Sequence, residues 1–298
     1  MGRNAEPARR FGAPVPINRI RVPAVDDSRL SDFRIVSDPV LMRERGLFVA
    51  EGRLAVERLL ASRFRARALL LIGTALDALE PALAAHAPGD GALDIYLADS
   101  AQLRRITGFR FHRGCLALGE RPRGGWEAGA EDGALPPVAT GRPLVMLESV
   151  SDPDNVGSIF RNATAFGASG VGLSPGCADP LYRKAIRTSM GTTLQLPFRV
   201  VTEWPAELRR IRAAGVRLVA LTPAQGAADI ETFVRRAAAG PVALLLGNES
   251  DGVSPAAVGL CDERVRVDIE PAVDSLNVAT AAAIALQRLR AAAPGGAF

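Results

Sequence analysis

The chain is predicted to be an α/β protein of two compact units, on three observations. Short apolar runs bounded by turn residues, among them ALLLIG from Ala68, LVMLESV from Leu144 and VALLLG from Val242, read as buried strands. Segments with apolar residues three and four apart, such as Val156, Ile159, Phe160 and Ala163, alternate with those runs as helices. Between the two sets lies RPRGGWEAGAEDGALPPVATGRP, residues 121–143, with five glycines and four prolines, which reads as a linker or extended insertion anchored at most by Trp126.

Residues 1–22 hold Arg3, Arg9, Arg10, Arg19 and Arg21 against Glu6, which accounts for the whole formal net charge of +4. Prolines and missing periodicity make this stretch a flexible basic arm. Residues 23–120 form the first unit. FVAEGRLAVERLL from Phe48 is a helix entered at Glu51-Gly52, ALLLIG a strand, and TALDALEPALAAHA a helix that Pro81 should break or kink. DIYLAD from Asp94 is a strand, SAQLRRITG a short helix capped by Asp99 or Ser100, and GCLALGE a strand, giving a small α/β sandwich.

The second unit, residues 144–298, opens with the LVMLESV strand and a helix recovering its spacing at Asn155. GVGLS from Gly170, FRVV from Phe198, RLVALT from Arg217, VALLLG and RVRVDI from Arg264 are further strands. ADPLYRKAIRTSMG from Ala178, WPAELRRIRAAG, DIETFVRRAAAG and the apolar stretch from about Ser275 to Ala292 are the helices. Such alternation predicts a mostly parallel sheet covered on both faces, with ligands bound beyond the carboxyl ends of its strands. Asn155, Gly247 and Ile269, each ending or following a strand, are expected near one another.

Composition narrows the function. Cys115, Cys177 and Cys261 are odd in number, far apart and without a CxxC pair, so neither a disulfide framework nor a zinc site is expected, and a reducing cytoplasm is the simpler setting. No metal site is expected, because His86 and His112 are the only histidines and sit in unrelated contexts. No apolar run approaches the roughly 20 residues that cross a bilayer. A nicotinamide-dependent oxidoreductase lacks its fingerprint, since Gly167-Ala168-Ser169-Gly170-Val171-Gly172 has the wrong order and precedes a strand.

Three polar segments remain. NVGSIFRNA places Asn155, Gly157 and Arg161 at the start of a helix. GNESDG ends a buried strand with Gly247, Asn248 and an acid, Glu249, where buried acids are uncommon; a glycine there lets a ligand approach the backbone. SLNVATA, with Ser275, Leu276 and Asn277, opens an alanine-rich helix that Asp274 or Ser275 can cap.

In this order the three segments, spanning about residues 143–292, resemble the motifs of the SpoU/TrmH family of RNA ribose methyltransferases, within the SPOUT superfamily. The resemblance implies a trefoil-knotted catalytic domain that works as a homodimer and binds S-adenosyl-L-methionine through Gly247, Ile269 and Leu276, with Asn248, Ser275 and Asn277 beside them. It implies a catalytic side made of Asn155, Arg161 and Glu249. Family members often carry Ile-Pro-Met and a glycine turn before Ser-Leu-Asn; this chain has Ile269-Glu270-Pro271-Ala272-Val273-Asp274, so a tighter ligand loop is expected. EGRLAVERLL and ITGFRFHRGCLAL resemble the RNA-binding domain that often precedes the catalytic one.

The implied reaction is methylation of a ribose 2'-hydroxyl in ribosomal or transfer RNA. A guanidinium of pKa roughly 12.5 or more is a costly base, so Arg161 is expected to clamp an RNA phosphate and stabilise the developing alkoxide. Arg53, Arg58 and Arg63, with Arg65 and Arg67 nearby, are the expected RNA-binding cations of the first unit. The competing reading is a non-enzymatic RNA-binding relative, against which stand Asn155, Arg161, Glu249 and Asn277, all present.

Overall fold

The computed structural model describes residues 16–34, 37–86, 92–107, 114–121, 135–139, 141–237 and 240–293. Most of the arm expected at 1–22, most of the linker expected at 121–143, Trp126 and His112 lie outside them. Two compact units divide between Glu120 and Arg121.

The first unit carries a five-stranded sheet in the order β1-β4-β3-β5-β2. Its strands are β1 (Ile17–Arg21), β2 (Leu47–Glu51), β3 (Ala66–Leu71), β4 (Leu93–Leu97) and β5 (Cys115–Glu120). β1, β4 and β3 run parallel, whereas β5 runs antiparallel to both β3 and β2. Its helices are α1 (Asp38–Val40), α2 (Arg53–Leu60), α3 (Gly73–Ala85) and α4 (Ser100–Thr107). Leu30, Phe33, Leu41, Leu70, Leu103 and Leu116 share one core cluster.

Three expectations change here. Residues 17–21 are not arm but an edge strand, because Ile17 to Arg21 pair with Leu93 to Leu97 and Arg19 reaches Glu80 at 2.6 Å. Phe48 to Ala50 are a buried strand ahead of the Arg53 helix, paired with Ala117 to Gly119. Pro81 neither ends α3 nor leaves a buried gap, since Pro81 and Asp77, whose carbonyl it frees, both face solvent. The α4 cap resolves to Asp99: its Oδ1 accepts from the amides of Ala101 and Gln102, and Gln102 Oε1 accepts in turn from the Asp99 amide.

The second unit carries a seven-stranded sheet, all parallel, in the order β10-β12-β9-β11-β6-β7-β8. The strands are β6 (Leu144–Leu147), β7 (Gly170–Leu173), β8 (Phe198–Val200), β9 (Arg217–Leu221), β10 (Ala228–Asp229), β11 (Val242–Leu246) and β12 (Glu263–Arg266). Helices α5 (Pro153–Ala165), α6 (Arg183–Thr188), α7 (Trp204–Ala213), α8 (Ile230–Ala237), α9 (Pro255–Val258) and α10 (Val278–Ala292) connect and cover them. β6 and β11 are wholly buried, as their unbroken apolar sequences require of central parallel strands.

Residues 135–143 belong partly to this unit rather than to a linker, because Leu135 is buried in its core and Ala139 bridges Arg142. α6 begins at Arg183, five residues later than expected. Asp179 Oδ1 accepts from the Leu181 amide and the Asp179 carbonyl from Tyr182, so a turn competes with helix there. The last helix begins at Val278, not Ser275, with Asn277 as its cap.

Candidate active site

The site lies where the strand order reverses. The chain leaves β6 toward β7 and β8, then crosses back to β9 and β11, so neighbouring β6 and β11 send their loops to opposite sides of one crevice. Leu147 is paired with Leu246, and the Glu148 amide donates to the Leu246 carbonyl at 2.8 Å. Residues 148–155 and 247–254 therefore start side by side. β12 lies two places beyond β11, so of the three residues expected together, Ile269 starts farther off, and its loop, 267–277, reaches back along the sheet edge.

α5 is built as its spacing requires. Asp152 caps it, accepting from the Asp154 amide at 2.9 Å, and Pro153 takes the first turn. Val156, Ile159, Phe160 and Ala163 are fully buried. Asn155 then faces the crevice. Its Nδ2 donates to Glu249 Oε1, and its Oδ1 accepts from Asn277 Nδ2 at 2.9 Å. Asn277 Oδ1 accepts from the amides of Ala279 and Thr280, so one side chain caps α10 and holds Asn155. The three polar segments of the sequence thus meet through one amide. Glu249 itself is exposed, not buried, because the 248–252 turn carries it out past the strand end.

That turn is tight. Asn248 Oδ1 accepts from the amides of Ser250 and Asp251, and the Asn248 carbonyl accepts from Gly252 at 3.1 Å. A side chain at Gly247 would meet the Gly252 carbonyl carbon at 1.9 Å. The missing side chain at Gly247 admits the chain's own backbone, where a ligand's approach was expected. Ser275 is exposed and Leu276 half-buried; Ile269 is half-buried, and Val273, 49% exposed, is the exposed large hydrophobic among the described residues.

Arg161 is exposed and makes no hydrogen bond or ion pair among the described residues. It stands six residues beyond Asn155, about 9 Å along the helix axis. The structure does not join it to the Asn155 cluster.

Several supporting residues escaped the sequence reading. Glu148, an acid directly after a buried apolar strand, accepts from Trp204 Nε1 at 3.1 Å and from Ser254 through both its amide and hydroxyl at 2.8 Å. It ties the end of β6 to the cap of α9 and so to the GNESDG turn. Asn162 Nδ2 donates to the Ala279 carbonyl at 3.0 Å, fastening α5 to α10. Thr188 Oγ1 donates to Asp154 Oδ1 at 2.6 Å and Lys184 Nζ lies 2.9 Å from Asp154 Oδ2. The Thr188 hydroxyl first, then the ammonium, hold the Asp154 carboxyl below the usual carboxylate range. Gly157 makes this latch possible, since a side chain there would meet the Ala185 carbonyl at 2.6 Å.

In the first unit, Arg53 lies 3.2 Å from Glu57, and the Arg63 guanidinium stands over the Phe64 ring at 5.1 Å. Arg58 is half-buried on α2, and Arg65 and Arg67 both approach Glu120.

The profile of the SpoU rRNA Methylase family matches residues 142–287. A protein of Mycobacterium bovis named as an uncharacterized tRNA/rRNA methyltransferase is 40% identical over 264 residues, 87% of this chain and 88% of the relative. A Bacillus subtilis 23S rRNA (guanosine(2553)-2'-O)-methyltransferase is 33% identical over 153 residues, 51% of this chain and 60% of its own. Among solved structures, the AdoMet-bound rRNA methyltransferase of Sinorhizobium meliloti superposes with a TM-score of 0.74 at 26% identity, covering 91% of this chain and 97% of that one. The SpoU methyltransferase AviRb of Streptomyces viridochromogenes, in complex with the cofactor AdoMet, gives 0.69 at 25% identity over 88% and 97%.

Proposed function

The chain belongs to the SpoU rRNA methylase family, and on that premise we propose that it transfers a methyl group from S-adenosyl-L-methionine to a ribose 2'-hydroxyl of structured RNA, ribosomal or transfer. The observation that carries this reading is the Asn155 amide, held between Glu249 and Asn277 at the carboxyl ends of β6 and β11. The relative named as a 2'-O-methyltransferase supports the choice of the ribose hydroxyl.

The residues present fit an adenosyl ligand. The 267–277 segment lies outside strand and helix. Beyond the Val273 amide, the Glu270 carbonyl and the Asn277 carbonyl, which are paired within the chain, its backbone can meet an adenine edge, while Ile269 and Leu276 offer partly buried apolar surface for the ring. Gly247, Asn248, Ser275 and Asn277 complete the wall. Bound there, S-adenosylmethionine would supply a sulfonium-activated methyl group.

The chain's own residues then position and polarise. Arg161 clamps the phosphate beside the target ribose, presenting two parallel N–H donors and a fixed positive charge against the alkoxide that develops. Asn155, with both ends of its amide engaged, keeps the hydroxyl in line, and Glu249 keeps Asn155 from turning. Alignment carries most of the acceleration, because the donor is already activated.

The first unit is the proposed RNA-binding domain, with Arg53, Arg58 and Arg63 toward the phosphates, and the 2'-hydroxyl makes RNA rather than DNA the substrate. A homodimer, a trefoil knot about the 267–277 segment and a cytoplasmic setting complete the proposal. The knot rests on the family resemblance, and Val273 offers apolar surface to a second copy. No helix among the described residues is long and apolar enough to cross a membrane.

The test is radiolabelled methyl transfer to RNA from cells lacking the protein, followed by mapping of 2'-O-methyl positions. Label recovered on a base, or no label with RNA and cofactor both bound, would overturn the reading.

A further inference from the structure

Helix α6, of sequence RKAIRT, carries three cations and no acid. It packs directly against α5, the helix that bears Asn155 and Arg161. Asp154, Gly157 and Arg161 follow one another at three- and four-residue spacing, so they share a face of α5. Asp154 and Gly157 on that face touch Lys184, Ala185 and Thr188, and Arg161 emerges one turn beyond the contact.

The cations of α6 are not equivalent. Lys184 is spent on Asp154 at 2.9 Å and Asp152 at 3.5 Å. Arg187 is exposed, makes no hydrogen bond or ion pair among the described residues, and lies close enough to Asp154 for its charge to act on that carboxyl. Arg161 and Arg187 are therefore two unengaged guanidinium groups bordering one helix seam. Asp152 and Asp154 share the single ammonium of Lys184, which leaves one net negative charge against the two guanidinium groups, and the seam stays net positive.

We propose that the α5–α6 seam is a track for the RNA backbone, in which Arg187 holds a phosphate neighbouring the one engaged by Arg161; this rests on the methyltransferase reading above. Guanidinium forks pair bidentately with phosphate, and two of them in a row fix the direction of the strand as well as its place. The seam then presents the ribose between those phosphates to Asn155. Because phosphate contacts release counterions, each one adds a measurable increment to the salt dependence of binding.

The experiment measures the affinity of the full chain for two unmodified pools, total ribosomal RNA and total transfer RNA from cells lacking the protein, across a sodium chloride series. Arg187→Ala should lower the slope of log affinity against log salt by about 0.7 to 0.9, and Arg187→Glu by more, while Arg187→Lys restores most of the loss. Affinity for S-adenosylmethionine should stay within about twofold. Arg235→Ala on α8, outside the seam, should leave the slope unchanged, and thermal melts confirm that each variant folds. An unchanged slope in Arg187→Ala and Arg187→Glu, with methyl transfer by the wild type intact, overturns the track alone. Loss of methyl transfer and cofactor binding in the wild type itself would instead overturn the functional reading.

Discussion

Asn155 and Asn277, 122 residues apart in sequence, meet amide to amide at 2.9 Å across the mouth of the crevice. The donor of that bond is fixed by the rest of the network. Asn277 uses its oxygen to cap α10, so its nitrogen faces Asn155. Asn155 therefore accepts there and donates to Glu249.

Replacing Asn155 by Asp removes the one side-chain donor toward Glu249 among the described residues and sets two carboxylates in contact. Asn155→Asp should lower kcat/KM by about 100-fold or more at neutral pH, further than Asn155→Ala, with partial recovery in mildly acidic buffer as the pair takes up a shared proton. A pH series of radiolabelled methyl transfer checks this; equal loss in both variants at every pH would contradict it.

Arg161 stands clear of the network, and its removal should disturb nothing but the reaction. Arg161→Ala should lose about 1,000-fold in transfer while binding S-adenosylmethionine within about twofold of wild type, read by calorimetry. Transfer at the wild-type rate would remove Arg161 from the mechanism.

Gly247→Ala places a methyl group 1.9 Å from the backbone of Gly252. The turn must move, so we expect a stability loss of about 1–3 kcal/mol and cofactor affinity weakened about tenfold. Denaturant unfolding and calorimetry separate the two effects.

Glu148 receives three donors and offers no replacement for itself. Glu148→Gln can keep its oxygen on Trp204 and the Ser254 hydroxyl only by turning its N–H toward the Ser254 amide, costing about 1–3 kcal/mol, and should shift the Trp204 fluorescence because a neutral oxygen is a weaker acceptor for the indole. An unaltered emission spectrum with unaltered stability would show that the clamp is dispensable.

The Asp154–Thr188 bond gives a pH signature. Because the folded carboxyl titrates below its ordinary value, its contribution is complete above pH 3.8 and is lost as pH falls through the depressed folded value. Thr188→Val should therefore cost about 1 kcal/mol near pH 7. The gap should shrink as the carboxyl protonates, as acid-side urea titrations would show.

The parallel sheet and its helices were legible because central strands such as LVML and VALLL are unbroken apolar runs, and the α5 stripe kept its spacing. Less legible were short or edge elements. INRIR carries too little apolar residue to announce a strand and becomes one only by pairing with β4. The 178–182 turn reads as helix until Asp179 takes up the local amides.

For the site, local sequence determined the residue types and their place at strand ends and helix starts, since turn chemistry and capping act within a few residues. It also marked Arg161 as lying off the buried face. The tertiary structure alone decided who meets whom. The order β11-β6 brings Glu249 to Asn155, Asn277 displaces Asp274 and Ser275 as the cap, and Gly247 turns out to make room for Gly252. The bonds of Asn155 to Glu249 and to Asn277 join segments roughly a hundred residues apart, whose register is set by strand pairing and helix packing rather than by any local preference.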